Sequence, residues 1–153
     1  MNEIRFTVYA RPQPQGSTNA FIPKGWDRPV ITTDNSKLKP YRQAVAGVAL
    51  TTMSGQPMIP RGVAVSVTCD FYFAKPPSIP KRRTFPTVKP DGDKLLRATW
   101  DAMTGIVYED DSQIVKWLGG KHYGLPERVE IVVAIVQEIE APLRQSGAQE
   151  PTP

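Results

Sequence analysis

KPDGDKLLRATWDAMTGIVYEDDSQ, residues 89–113, holds the pattern from which the rest of the chain is read. Leu95, Leu96, Thr99, Ala102 and Met103 recur at helical spacing, which predicts a helix from about Asp91 or Gly92 to Met103. Gly105 stands where a left-handed cap ends such a helix. Asp91 and Asp93 flank Gly92 at its mouth. Asp110 and Asp111 follow after a short connection, at the edge of the next strand. If the helix packs back on that strand, its start lies near the Asp-Asp pair, and the spacing permits this closure.

Outward from this stretch, the N-terminal side holds a strand and a helix. Ile4, Phe6 and Val8 alternate with Arg5, Thr7 and Tyr9, the pattern of a half-buried strand over 3–9. Residues 11–37, rich in Pro, Gly, Asn and Thr, read as a long loop of functional or partly disordered character, with room for a short strand near Val30-Ile31. A helix is expected from about Leu38, capped by Asn35 or Ser36, with Tyr41, Ala44, Val45, Val48, Ala49 and Thr52 on one face and Ser54-Gly55-Gln56-Pro57 as its stop. Val63, Val65, Val67 and Cys69, continued by Phe71-Tyr72-Phe73, form a strand. The segment 75–90, KPPSIPKRRTFPTVKP, carries five prolines and five basic residues, which excludes a regular helix or a central strand.

Beyond residue 113, strands are expected over 113–118 and 128–139, joined by a turn around Gly124-Leu125-Pro126. The order β-α-β-α-β-β implies an α/β (α+β) fold, a single mixed sheet of about four strands packed with two helices. Residues 1–140 read as one domain. Residues 141–153 turn polar and Pro-rich and read as a disordered tail.

A chain of 153 residues buries enough surface to need no staple. Cys69 is the only cysteine, so no intramolecular disulfide forms, and it reads as a small buried hydrophobe in a strand. With Cys69 and the single His122, a zinc site of the usual ligand type is not expected. No apolar run approaches the roughly 20 residues that span a bilayer, and MNEIRFTVYA lacks the layout of a signal peptide. A cytoplasmic protein is therefore expected. The net charge of +4 and pI near 9.3 suit a polyanionic partner. Lys75, Lys81, Arg82, Arg83 and Lys89 gather on that side of Asp91 with no acidic residue between them.

Short carboxylates on converging segments suit Mg²⁺, which prefers hard oxygen ligands and typically takes one or two protein carboxylates plus phosphate oxygens. Such a centre serves phosphodiester hydrolysis. The competing reading makes Asp91 or Asp93 an ordinary helix cap, and Asp110-Asp111 a solvated turn. Arg97 either reaches toward a phosphate or pairs with Asp93 or Asp101 across one turn. Lys94 is a surface residue within reach of DNA, and Asp101 reads as structural. Phe85 either stacks on bases at a branch point or packs on the domain surface.

The run K-P-D-G-D-K-L-L-R-A-T-W-D-A-M, followed by E-D-D-S-Q-I-V, resembles the RusA-type Holliday-junction resolvases, many of them phage-encoded. Their pattern is D-x-D-N-L-x-K-x-x-x-D-A-L, then a short gap, then D-D-x-Q-V. A P-x-P-x-G stretch, here Pro12, Pro14 and Gly16, extends the likeness over most of 1–138. The resemblance implies a small homodimeric nuclease of DNA recombination and repair in a bacterial cytoplasm. Such an enzyme nicks two opposed strands of a four-way junction with Mg²⁺, or Mn²⁺ as substitute. It maps the family's metal aspartates onto Asp91, Asp93 and Asp111, with Asp110 beside the third, and the catalytic lysine onto Arg97. Lys75, Lys81, Arg82, Arg83, Phe85, Lys89 and Lys94 are the implied DNA contacts. Two positions depart: Lys94 stands for the family Asn, and Arg97 for the Lys, which keeps the charge but not the compact ammonium. Two alternatives stay open: a nuclease of broader choice acting on flaps or forks in phage replication or packaging, and a junction-binding protein that does not cut.

Overall fold

The computed structural model describes residues 3–16, 18–33 and 35–139, and the tail expected over 141–153 lies outside them. The elements run β1 (Glu3–Val8), β2 (Thr18–Phe21), β3 (Val30–Thr33), α1 (Leu38–Thr52), β4 (Val65–Phe73), α2 (Gly92–Met103), a short 3-10 turn (Asp111–Gln113), β5 (Ile114–Tyr123) and β6 (Arg128–Ile135). Four strands form one mixed sheet in the order β1-β6-β4-β5. β4 and β5 are parallel, and β6 is antiparallel to both β4 and β1. This is the expected α+β arrangement. The correction lies in 11–37, where β2 and β3 pair as an antiparallel hairpin instead of leaving a long loop with one short strand.

Both helices cover one face of the sheet. On β4 the residues Val65, Val67, Cys69, Phe71 and Phe73 are buried, and their alternates are only partly so. They pack with Tyr41, Val45 and Ala49 of α1 and with Leu95, Ala98, Ala102 and Met103 of α2 in one apolar cluster. Burial of side chains of this size contributes roughly 1.5–3 kcal/mol each before ordering entropy is set against it. Within that apolar layer the one polar tie between the helices is Tyr41 Oη to Thr99 Oγ1 at 2.8 Å, and the Thr99 hydroxyl donates back to the Leu95 carbonyl. Burial raises the Cys69 thiol to about 12, so it behaves as the apolar residue expected.

The parallel pair fixes where α2 lies. A chain leaving β4 must travel back to the start of β5, and α2 is that return path. Its first turn therefore sits over the carboxyl ends of β4 and β5, where open α/β sheets leave a crevice for ligands. Its last turn lies near the start of β5.

Candidate active site

Asp91 occupies the N-cap position of α2 with extended backbone, φ −71° and ψ 139°, yet its side chain makes no capping hydrogen bond. Its nearest charge partner is Lys94, at 3.8 Å. Three ties hold the backbone around it. The Lys121 ammonium of β5 donates to the carbonyls of Val88 (2.6 Å) and Pro90 (2.9 Å), fixing the chain just before the aspartate. The Gln15 N–H donates to the Lys94 carbonyl at 2.9 Å. The Asn35 amide donates to the Pro14 carbonyl and to Gln13 Oε1, stitching the Pro12–Gly16 segment to the start of α1. Pro14, Gln15, Gly16, Lys89, Asp91 and Lys94 thus border one depression of about 440 Å³.

Asp93, in the first turn of α2, opens on a second groove of about 420 Å³, bordered by Phe71, Leu96 and Trp117 to Lys121 of β5. Both carboxylates stand at the positive end of the helix dipole, which favours anions and their ligands there.

Asp111 lies at the other end of the return path. Partial desolvation, then the nearby Asp101 and Asp110 carboxylates, raise its pKa, and Arg97 opposes the rise. Arg97 forms no ion pair within 4.0 Å with Asp93 or Asp101 among the described residues. Asp110 caps the 3-10 turn: its Oδ1 accepts from the Ser112 N–H at 2.9 Å, and the Asp110 N–H donates to Gln113 Oε1 at 2.9 Å. The bond from the Ser112 N–H chiefly holds the Asp110 carboxyl below its ordinary range. The buried Gln113 amide donates to the carbonyls of Pro60 (2.9 Å) and Val63 (3.0 Å), anchoring the Asp-Asp segment to the chain ahead of β4.

Asp111 has Asp101, Asp110 and Arg97 as charged neighbours, and Arg97 stands one turn along α2 from Asp93. Asp101 lies eight residues along α2 from Asp93, about 12 Å of axial rise, and Asp111 sits with Asp101. Among the described residues, no three Asp, Glu, His or Cys side chains gather as a metal-binding set. Asp91 and Asp93 still fit Mg²⁺ by chemistry, since two carboxylates with substrate oxygens match its usual demand.

A family model described as Endodeoxyribonuclease RusA matches residues 11–134. The chain belongs to the RusA endodeoxyribonuclease family. It is accordingly a DNA-cleaving hydrolase. The uncharacterized protein YqaN of Bacillus subtilis (strain 168) is 32% identical to it over 148 residues, covering 87% of this chain and 96% of that protein. No helix among the described residues is long and apolar enough to cross a membrane.

The basic segment that the RusA likeness assigns to DNA divides on inspection. The Lys75 ammonium donates to the carbonyls of Lys81 (3.2 Å) and Arg83 (2.7 Å), so this lysine shapes the loop. Arg83 donates to the Thr87 hydroxyl. Lys81, Arg82 and Lys89 make no ion pair among the described residues, and Phe85 is 62% exposed beside them. The positioning role of Lys121 was missed because a lysine after two glycines carries no signal of where its ammonium goes. β6 is an inner strand with Val129, Ile131 and Val133 buried, and it offers no free edge for a second copy. Trp100 and Trp117 meet edge-on at 5.7 Å, with Trp117 exposed on the outer strand β5.

Proposed function

We propose that the protein is a Mg²⁺-dependent, structure-selective endodeoxyribonuclease that resolves four-way junctions. The observation that carries this is Asp91, a helix-capping residue whose carboxylate is withheld from capping, with Asp93 one residue past Gly92. Asp91 and Asp93 would hold the ion, with Mn²⁺ as substitute. A divalent cation there supplies charge neutralisation at the phosphate under attack. Lys89 and Lys94 bind the DNA backbone beside the carboxylates, and Lys81 and Arg82 extend that contact. Arg97 offers a fixed positive charge to the phosphate but no proton, since guanidinium does not deprotonate in proteins. Asp111 joins the pair through movement of the 104–113 segment or across a dimer two-fold. Two sites for two opposed strands call for a homodimer. The outer strand β5, with Val115, Trp117 and Leu118 exposed, is the surface on which a second copy fits.

The test is cleavage of labelled four-way junction, flap, fork and linear duplex with and without Mg²⁺. Cation-dependent nicking of the junction in opposed strands is expected. Asp93→Asn lowers it roughly 10²–10³-fold or more while junction binding persists. Cleavage that survives Asp93→Asn defeats the metal assignment, and equal cutting of linear duplex defeats the junction assignment.

A further inference from the structure

We propose that the β2–β3 hairpin is a DNA wedge that inserts its tip among unstacked bases at a branch point. This rests on the branched-DNA reading above. β2 and β3 pair with each other as a two-stranded sheet separate from the main one. A lone ribbon of this kind is marginal in water, and this one also exposes apolar side chains. Trp26 at the tip is 63% exposed, and Phe21, Ile22 and Ile31 are exposed with it.

The register decides what kind of partner fits. Phe21 faces Val30 across the ribbon, while Ile31 faces Ala20. Neighbouring pairs alternate in facing, so Phe21 and Ile31 stand on opposite sides. A ribbon that docks flat on a surface needs one apolar side. A ribbon that is apolar on both sides is covered by insertion between two surfaces, as apolar wedges are between base steps.

The tip is built to lead. The Trp26 N–H donates to the Pro23 carbonyl at 3.0 Å, and Gly25 takes φ +89°. This is the geometry of a tight turn whose third residue must be glycine. No atom lies within 4 Å of a Cβ placed on Gly25, so backbone conformation alone imposes that choice. The turn thrusts Lys24 and Trp26 outward. Lys24 and Arg28 flank Trp26, and neither makes an ion pair among the described residues. Asp27 stands between Trp26 and Arg28, so two positive charges less one negative leave the tip with a single net positive charge, and a weakly basic tip with a bare indole matches an anionic backbone with exposed base faces. The root is equally placed, since the segment ahead of β2 borders the Asp91 depression and is bonded to α2 through Gln15.

The experiment uses the full chain without divalent cation, so that cutting does not intervene. Probes are a four-way junction with 2-aminopurine at the branch and a linear duplex of the same sequence. Wild type is expected to raise the branch fluorescence. Trp26→Ala abolishes that rise and weakens junction binding about tenfold, the scale of one lost base–aromatic stack, with duplex binding changed less than about twofold. Trp26→Phe restores most of both readouts. Phe21→Ala, on a second exposed position, weakens junction binding in the same direction, and melting curves verify that each variant folds. Unchanged junction binding in Trp26→Ala, equal loss on both DNAs, or loss of self-association in its place overturns the wedge. If wild type itself fails to prefer the junction, the branched-DNA reading falls and takes the wedge with it. If wild type prefers and cuts the junction while Trp26→Ala matches it, the wedge alone falls.

Discussion

Asp91 and Asp110 stand at equivalent stations, each one residue ahead of a helical turn, and they spend their carboxylates differently. Asp110 caps: it accepts from Ser112 and its neighbour Gln113 reciprocates. Asp91 has the same extended backbone and caps nothing. Local sequence treats both as caps, since aspartate is favoured at either place. The contrast separates two uses of one residue type. Where the side chain takes the bond, it is holding structure; where the station is filled and the bond is declined, the oxygen atoms remain for a ligand.

This comparison breaks most visibly on activity. Asp91→Asn is expected to lower cation-dependent junction cleavage by roughly 10²–10³-fold, with a melting temperature close to wild type because no cap bond is lost. A large drop in melting temperature would make Asp91 a structural cap after all. Gln113→Ala sharpens the other half. It removes a buried amide that satisfies two carbonyls, and about 1–3 kcal/mol of stability is expected to go with it, read by urea unfolding.

The smallest effect is the pH dependence of Asp110→Ala. The folded-state pKa of Asp110 is depressed below 3.8, chiefly by the Ser112 N–H. Its stabilisation is therefore complete above about pH 4 and lost as pH falls through the lowered value. The melting-temperature gap between wild type and Asp110→Ala should be open near neutrality and close on acidification. A gap independent of pH contradicts the cap.

Most of the architecture was legible because long periodic segments dominate it. The stripe of α2 and its stop at Gly105, the α1 face from Tyr41 to Thr52, and the alternation of β4 each require only local pattern. What escaped has physical causes. β5 reads as ending at residue 118 because Gly119 and Gly120 look like breakers, yet the strand runs to Tyr123. A Cβ on Gly119 would meet the Cys69 carbonyl oxygen at 1.9 Å, so glycine is there to let two strands approach. β6 stops at Ile135, not 139, and its last ladder pair with β4 is Ile135 with Val65. The hairpin was hidden because its strands are four residues each and mix Thr and Asn with apolar residues. In the site, the aspartates and Arg97 stood out by motif. How near Asp111 comes to Asp91 and Asp93 was not legible there, because sequence proximity after a helix says nothing about which end of that helix a loop returns to.

Lys121 carries one further implication. Its ammonium binds the carbonyls on either side of Lys89 and holds the approach to Asp91 in place. The approach to Asp91 is thus braced by the chain itself. A divalent cation bound there, as proposed, would meet a vestibule already assembled, and its binding energy would go into chemistry at the phosphate instead of into ordering the chain.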